Sequence, residues 1–423
     1  MQRNKSYWDS GYFRFETLNK MHIELSSLCN SICPNCPRYF QNSPNEIPEL
    51  IPQSISIENF KKWFPPETLK QITYMNFCGN HGDPVTCKDL LPILEYCFTS
   101  LPKNGGLQMH TNGGMKSAKV WNRIGELFAQ RPGWKMIFSV DGLEDTNHIY
   151  RRNVNWKKLI ENIKEYTQHG GDSDWEYLIF RHNEHQIDEA KRMSKELGIK
   201  QFVQKIAHGL DNGVNYATMP AIDKSGKTDY QIYPPREKKN KVNYIKGSDD
   251  KIIIKDKSFE KVTTPNKDNE LAFIAGTSGL DRMSAQELEE LDNTVIRPRC
   301  HREVFVSAAG FVTPCCWIGL LVPYIDHEDK TSLFFEWHQL KEKMLEIGLD
   351  LFSLYNDTLE NILTENRLNK VYSDDWNKTT ACGKLQACTK VCGAPNVLDD
   401  TMSHEENPYK KTRKSTDHRE HLA

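Results

Sequence analysis

From Met21 to Ala207 the chain alternates between two hydrophobic periods, and this restricts its fold more than any other feature. Short apolar or every-second-residue runs read as strands at Met21–Leu25, Ile72–Phe77, Leu107–Gly114, Met136–Gly142, Glu176–Phe180 and Gln201–Val203. Helical stretches lie between them at Asp89–Phe98, Ala118–Ala129, Trp156–His169 and Gln186–Leu197, the last stopped by Gly198. Strand and helix alternating at this spacing build a parallel α/β sheet. Polar residues collect after the strands, at the carboxyl ends where parallel barrels place their chemistry.

Composition removes several function classes. The chain has 423 residues and a formal net charge of -2, from 55 Lys+Arg against 57 Asp+Glu. That balance gives no support to a polyanion-binding protein, so nucleic acid is not favoured as a partner. No apolar run is long enough to span a membrane, and the first residues carry no apolar signal-peptide core. The expectation is a cytoplasmic protein whose thiols stay reduced. The 12 cysteines then read as metal ligands or reactive groups before they read as disulfides.

The cysteines fall into three sets. Cys29, Cys33 and Cys36 form C-x3-C-x2-C just past the first strand. Three thiolates on one loop can hold three irons of a [4Fe-4S] cluster and leave the fourth open for chemistry. A zinc loop is the alternative, although zinc sites usually draw four ligands from two cysteine pairs and no fourth ligand is near. Cys78, Cys87 and Cys97 stand singly and read as small buried residues. Cys300, Cys315, Cys316, Cys382, Cys388 and Cys392 occupy the C-terminal third.

The first set resembles the radical S-adenosylmethionine superfamily. The resemblance extends from Met21 to about Ala207 and implies a partial (β/α)6 barrel, open on one side for substrate. It implies S-adenosylmethionine chelated to the open iron, cleaved to methionine and a 5′-deoxyadenosyl radical that takes hydrogen from a substrate. Cys78-Gly79-Asn80-His81-Gly82-Asp83-Pro84 is similar to the family's G-G-E-P segment, which implies that Gly79, Gly82, Asp83 and Pro84 meet the methionine moiety. Thr111, Asn112 and Gly113, then Ser139 and Asp141, are similar to strand ends that line the cofactor pocket, with Asn183 beyond the fifth strand. One departure is Asn35, where family members usually carry an aromatic residue before the third cysteine.

Other residues have plain readings as well. Arg151 and Arg152 could pair with the methionine carboxylate, since arginine binds carboxylates through two parallel hydrogen bonds. Arg152 is taken as the cofactor residue, and a surface pair is the alternative. His81, His110, His182 and His185 could ligate metal or relay protons, and are read as structural first.

From His208 the pattern weakens. Tyr233-Pro234-Pro235 leads into a basic run ending at Lys241, and Lys251–Lys255 could be a short strand. Much of the segment reads as a connector. A short helix is expected over Ser284–Leu291. The organisation is then an N-terminal extension (1–20), a core barrel (21–207), an insertion or linker (208–296), a small α+β C-terminal domain (297–395) and a polar tail (396–423).

In that C-terminal domain Cys300-x9-Gly310-x4-Cys315 resembles the opening of SPASM and twitch auxiliary-cluster domains, and Cys382-x5-Cys388-x3-Cys392 their later part. Val304–Ser307 and Phe311–Thr313 read as a hairpin around Ala308-Ala309-Gly310. Thr379 stands where a further cysteine would be, so two auxiliary cubanes lack ligands and one is expected. Cys300, Cys315 and Cys392 would be its ligands, with Cys388 or Cys382 as the fourth. Cys316 is expected to point elsewhere on a strand, and zinc is the alternative metal.

The resemblance implies an oxidoreductase with an electron donor of flavodoxin or ferredoxin type. A peptide or protein is the first expectation for the substrate and a small molecule or nucleotide the second. About 20 residues precede the first strand, so no appended leader-binding domain is expected there. A non-catalytic iron–sulfur or zinc protein is the reading from another class, with no use for the glycine-rich loop.

Overall fold

The computed structural model describes residues 13–39, 44–48, 50–207, 218–237, 240, 289, 292–296, 302–320 and 335–365, most of 367–395, and 420–421. Along the chain run β1 (Lys20–Ile23), α1 (Ile57–Trp63), α2 (Pro66–Leu69), β2 (Tyr74–Phe77), α3 (Leu90–Ser100), β3 (Gly106–Thr111), α4 (Ala118–Ala129) and β4 (Trp134–Ser139). Then follow α5 (Asn147–Tyr150), α6 (Trp156–Gln168), β5 (Ser173–Ile179), α7 (Ile187–Glu196), β6 (Gln201–Ile206), β7 (Met219–Ile222) and β8 (Thr228–Ile232). The four helices expected in the first half are α3, α4, α6 and α7, and the six strands are β1 to β6. The expected Lys251–Lys255 strand and most of the Ser284–Leu291 helix lie outside the described residues, as does Cys300.

The chain divides into two compact units. The first takes in residues 1–29, 47–107 and 271–397. Its strand β1 shows the expected alternation: Met21, Ile23 and Leu25 are fully buried on one face, with His22, Glu24 and Ser26 on the other. β1 pairs in parallel with β2, Met21 against Met75 and Ile23 against Phe77. On its other side β1 pairs in parallel with β9 (Glu303–Val306), which turns back into β10 (Val312–Thr313). The hairpin of the C-terminal third thus extends the sheet that β1 begins. Its turn needs Gly310, at φ +73°, and a Cβ there would stand 2.8 Å from the Trp63 ring. Helix α3 buries Leu90, Ile93, Leu94 and Cys97, one helical stripe. Cys87 and Cys97 are fully buried, as their apolar reading requires, whereas Cys78 at the end of β2 is only half-buried.

The second unit takes in residues 30–46, 108–270 and 398–423. β4, β5 and β6 pair in parallel, Met136 against Ser173 and Trp175 against Phe202. Helices α4 and α6 cover one face through Trp121, Ile124, Phe128, Leu159, Ile163 and Tyr166. Asn155 caps α6 by accepting the Lys158 amide, and Gly198 follows α7 at φ +75°. Parallel strands in sequence order with helices between them form an α/β fold, consistent with a partial (β/α)6 barrel.

Two sequence expectations need correction. The connector after His208 contains an antiparallel hairpin, β7 against β8, with Met219 opposite Ile232. Its turn is organised by Asp223, whose Oδ1 accepts from the Ser225 and Lys227 amides and the Ser225 hydroxyl. Cys316 is not on a strand. Cys315 has extended backbone (φ -160°) and caps a short helix, Cys316–Gly319, so the two neighbouring thiols leave from a strand-to-helix turn.

Candidate cofactor site

The C-x3-C-x2-C loop crosses from one unit to the other. Cys29 closes the first unit's opening stretch and Asn30 begins the second's. Within the second unit the loop is fastened to the turn that follows α5. The Ile32 amide donates to the Arg152 carbonyl at 2.9 Å, the Ser31 hydroxyl to the same carbonyl at 3.3 Å, and Asn153 Nδ2 to the Asn30 carbonyl at 2.8 Å. Asn153 adopts φ +65°, a conformation that asparagine tolerates better than most residues.

Around the loop an apolar cluster forms from Cys33, Tyr150, Phe180, Ala207, Met219 and Ile232, with Cys36, Leu178 and Tyr230 packed against it. The β7–β8 hairpin therefore covers the cysteine loop. It is held by Tyr230, whose hydroxyl donates to the Ile149 carbonyl at 2.6 Å, and by Arg152, which donates to the Ile222 carbonyl at 3.0 Å and faces Asp229 at 3.6 Å. Arg152, the arginine chosen from sequence, is thus occupied by the hairpin.

Its neighbour Arg151 is the residue that meets the cysteines. Its Nε lies 2.6 Å from Asp141 Oδ2, and its Nη1 stands 3.7 Å from Cys33 Sγ. Asp141 is fully buried, and its other oxygen accepts the Leu178 amide at 2.7 Å. Burial alone would lower the arginine, but Asp141 and Cys33 outweigh it and hold Arg151 well above its ordinary value. Burial, and then Cys33, push the Cys36 thiol up to about 12, against the Arg38 amide and the charges of Arg38 and Arg151. Soft sulfur donors in an apolar surround, with a cation aimed at one of them, fit a thiolate-bound iron–sulfur cluster. Among the described residues no three Cys, His, Asp or Glu side chains stand together as a preformed metal set.

The strand ends of the second unit carry further expected residues. Thr111 Oγ1 accepts the Gly113 amide at 3.0 Å, and Asn112 bridges the Gly114 amide and Asn30 Oδ1, each at 2.9 Å. Gly113 has φ +70°, and a Cβ there would meet Leu159 at 2.5 Å. Ser139 is half-buried at the end of β4. Asn183 is fully buried and spends its amide on main chain: it donates to the Asp141 and Leu178 carbonyls and accepts from the Phe180 amide. It shapes the turn rather than presenting a free group. Glu176, on β5, lies 2.5 Å from Lys205 and is held below its ordinary value: burial raises it, but Lys205 and then His110 prevail.

In the first unit the glycine-rich loop is organised by Glu24, whose place on the polar face of β1 gives no sign of this role. This carboxylate is 2% exposed, and its Oε1 accepts the His81 amide at 2.7 Å and the Gly82 amide at 3.2 Å. Gly82 lies so close to β1 that an added Cβ would be 1.9 Å from the Ser26 carbonyl oxygen. At Gly79 it would be 2.2 Å from the Gly82 carbonyl oxygen. Asp83 accepts the Val85 amide at 3.1 Å and caps the short turn that Pro84 begins, while its own amide donates to the Leu28 carbonyl at 2.8 Å.

The C-terminal thiols also lie in the first unit. Burial pushes Cys315 up to about 12, and Cys316 and Cys392 are among the groups that add to the rise. Cys316 is raised to about 11 by burial and then by Glu303. Cys315 and Cys388 both act on the buried Tyr372 hydroxyl. Cys382 is exposed.

No family model matches the chain, and no curated protein matches it. Solved structures similar to it include Streptococcus suis SuiB bound to precursor peptide SuiA, at 11% identity and TM-score 0.45, covering 86% of this chain and 67% of that one. Another is anSMEcpe with bound AdoMet, at 12% identity and TM-score 0.42, covering 88% and 83%. A third is methylornithine synthase (PylB), at 14% identity and TM-score 0.33, covering 45% and 53%. Among the described residues no helix is long and apolar enough to cross a membrane.

Proposed function

We propose that this chain is a radical S-adenosylmethionine enzyme. The observation that carries the reading is the C-x3-C-x2-C loop, with Cys33 set in an apolar cluster beside the buried Arg151–Asp141 pair. Cys29, Cys33 and Cys36 would hold a [4Fe-4S] cluster. Once bound, that cluster would supply the electron for reductive cleavage of S-adenosylmethionine, and through it the means of taking hydrogen from a substrate.

The chain's own residues bind, orient and exclude water. In the first unit Gly79 and Gly82 let the loop close on itself and on the Ser26 carbonyl, where no Cβ would fit, and Glu24 accepts the amides of His81 and Gly82. Asp83 and Pro84 end that loop. In the second unit Thr111, Asn112 and Gly113 shape one strand exit. Ser139 presents a hydroxyl at the next, and Asp141 orients Arg151 with Asn183 behind it. The β7–β8 hairpin keeps water from Cys33 and Cys36.

Cys315, Cys388 and Cys392, with Cys300 and Cys382 as further candidates, would hold one auxiliary cluster. The reaction class is oxidative modification of a peptide or protein, in the cytoplasm, with an electron donor of flavodoxin or ferredoxin type. Anaerobic incubation of the reconstituted chain with S-adenosylmethionine and dithionite tests the reading. Chromatography should show 5′-deoxyadenosine, and its absence from a chain loaded with iron and sulfide contradicts the proposal.

A further inference from the structure

We propose that Arg151 is a positioning residue that sets the reduction potential of the cluster held by the cysteine loop, through a charged hydrogen bond to the Cys33 sulfur. The proposal rests on the reading above and adds a role that the cysteine motif does not contain. The geometry is specific. The Arg151 Nη1 is 3.7 Å from Cys33 Sγ. The guanidinium is not free to leave. Its Nε is locked on Asp141 Oδ2 at 2.6 Å, Asp141 is in turn locked on the Leu178 amide, and the Arg151 amide donates to the Asn147 carbonyl at 2.8 Å. The face of the group lies 5.4 Å from the Tyr150 ring, and Tyr150 packs on Phe180 at 4.7 Å. The cysteine loop is tied to the same turn through Arg152 and Asn153. Sulfur and guanidinium therefore keep their separation.

The chemistry follows from charge. Reduction adds one electron to a thiolate-ligated cluster, and a fixed cation hydrogen-bonded to a ligand sulfur stabilises the reduced form more than the oxidised one. The Ser31 hydroxyl lies 2.9 Å from the same sulfur, so Cys33 has two polar neighbours inside an otherwise apolar cluster. Arginine suits the position because one planar fork can face a carboxylate and a sulfur at once. Lysine can face only one of them well.

The test is an EPR-monitored redox titration of the full-length, anaerobically reconstituted chain, following the signal that changes when S-adenosylmethionine is added. Wild type, Arg151→Gln, Arg151→Lys and a distant charge control, Arg123→Gln, are compared. Arg151→Gln is expected to lower the ratio of reduced to oxidised cluster roughly tenfold at a fixed potential, a shift of about 59 mV to the negative side for one electron. Arg151→Lys should move the same way by less, and Arg123→Gln should match wild type. An unshifted midpoint in Arg151→Gln overturns the proposal while leaving the enzyme reading intact. If Arg151→Gln takes up no cluster, Arg151→Lys decides, and a midpoint equal to wild type overturns it. A shift in Arg123→Gln as large as in Arg151→Gln also overturns it. Wild type without any signal that responds to S-adenosylmethionine overturns both the reading and the proposal.

Discussion

Glu24 Oε1 accepts the main-chain amide of His81 at 2.7 Å, so a buried carboxylate at the end of the first strand holds the glycine-rich loop of its unit. The burial has a pH consequence. Burial raises the Glu24 carboxyl above its ordinary value, although the amides of His81, Gly82, Ala308 and Asn80 oppose the shift. A raised folded-state value means that the folded chain holds the proton more tightly than the unfolded one. The associated stability is present below pH 4.5 and is lost as pH rises through the raised value. Glu24→Gln should flatten that fall, as read from urea midpoints between pH 4.5 and 8. An unchanged slope in the variant would contradict this assignment.

Gly82→Ala places a methyl 1.9 Å from the Ser26 carbonyl oxygen, which belongs to backbone and cannot swing away. The loop must move, at a cost of about 1–3 kcal/mol. Chemical denaturation should show that loss, and calorimetry should show weaker S-adenosylmethionine binding. A variant with the stability and affinity of wild type would show that the loop has room to spare.

The β7–β8 hairpin should protect Cys33. Met219→Ala removes a side chain that is 4% exposed and packed in the cluster with Cys33, at a cost of about 2–5 kcal/mol. Tyr230→Phe removes only the hydroxyl bond to Ile149, worth about 1 kcal/mol. In the cluster-free chain, iodoacetamide labelling of Cys33, read by peptide mass mapping, should accelerate strongly in the first variant and slightly in the second. Equal labelling rates in all three chains would mean that the hairpin gives no cover.

Much of this architecture is legible in the sequence where one face is apolar. Helix α4 runs over Ala118–Ala129 as its stripe of Trp121, Ile124 and Phe128 indicates. The β7–β8 hairpin is not legible in the same way, because Met219-Pro220-Ala221-Ile222 and Thr228-Asp229-Tyr230-Gln231-Ile232 are short and mixed in polarity. Its one local signal is the Asp223 turn with Gly226 at φ +84°. Arg151 and Arg152 cannot be told apart by type or spacing. Which of them faces Cys33 depends on a turn whose next residue, Asn153, sits at φ +65°. Cys316 escapes the strand period because alternation does not continue through a helix cap at Cys315. Glu24 has the right period for the polar face of β1, but nothing in one strand announces that its partners are amides of a loop more than fifty residues away.

On the proposed function, Cys29, Cys33 and Cys36 would hold the cluster that cleaves S-adenosylmethionine. The most direct measurement compares wild type with the Cys29→Ala, Cys33→Ala, Cys36→Ala triple variant after anaerobic reconstitution, reading iron per chain together with 5′-deoxyadenosine formed under dithionite. The variant is expected to lose about four irons and all cleavage, while the iron bound by the C-terminal cysteines stays. A triple variant that still forms 5′-deoxyadenosine would contradict it.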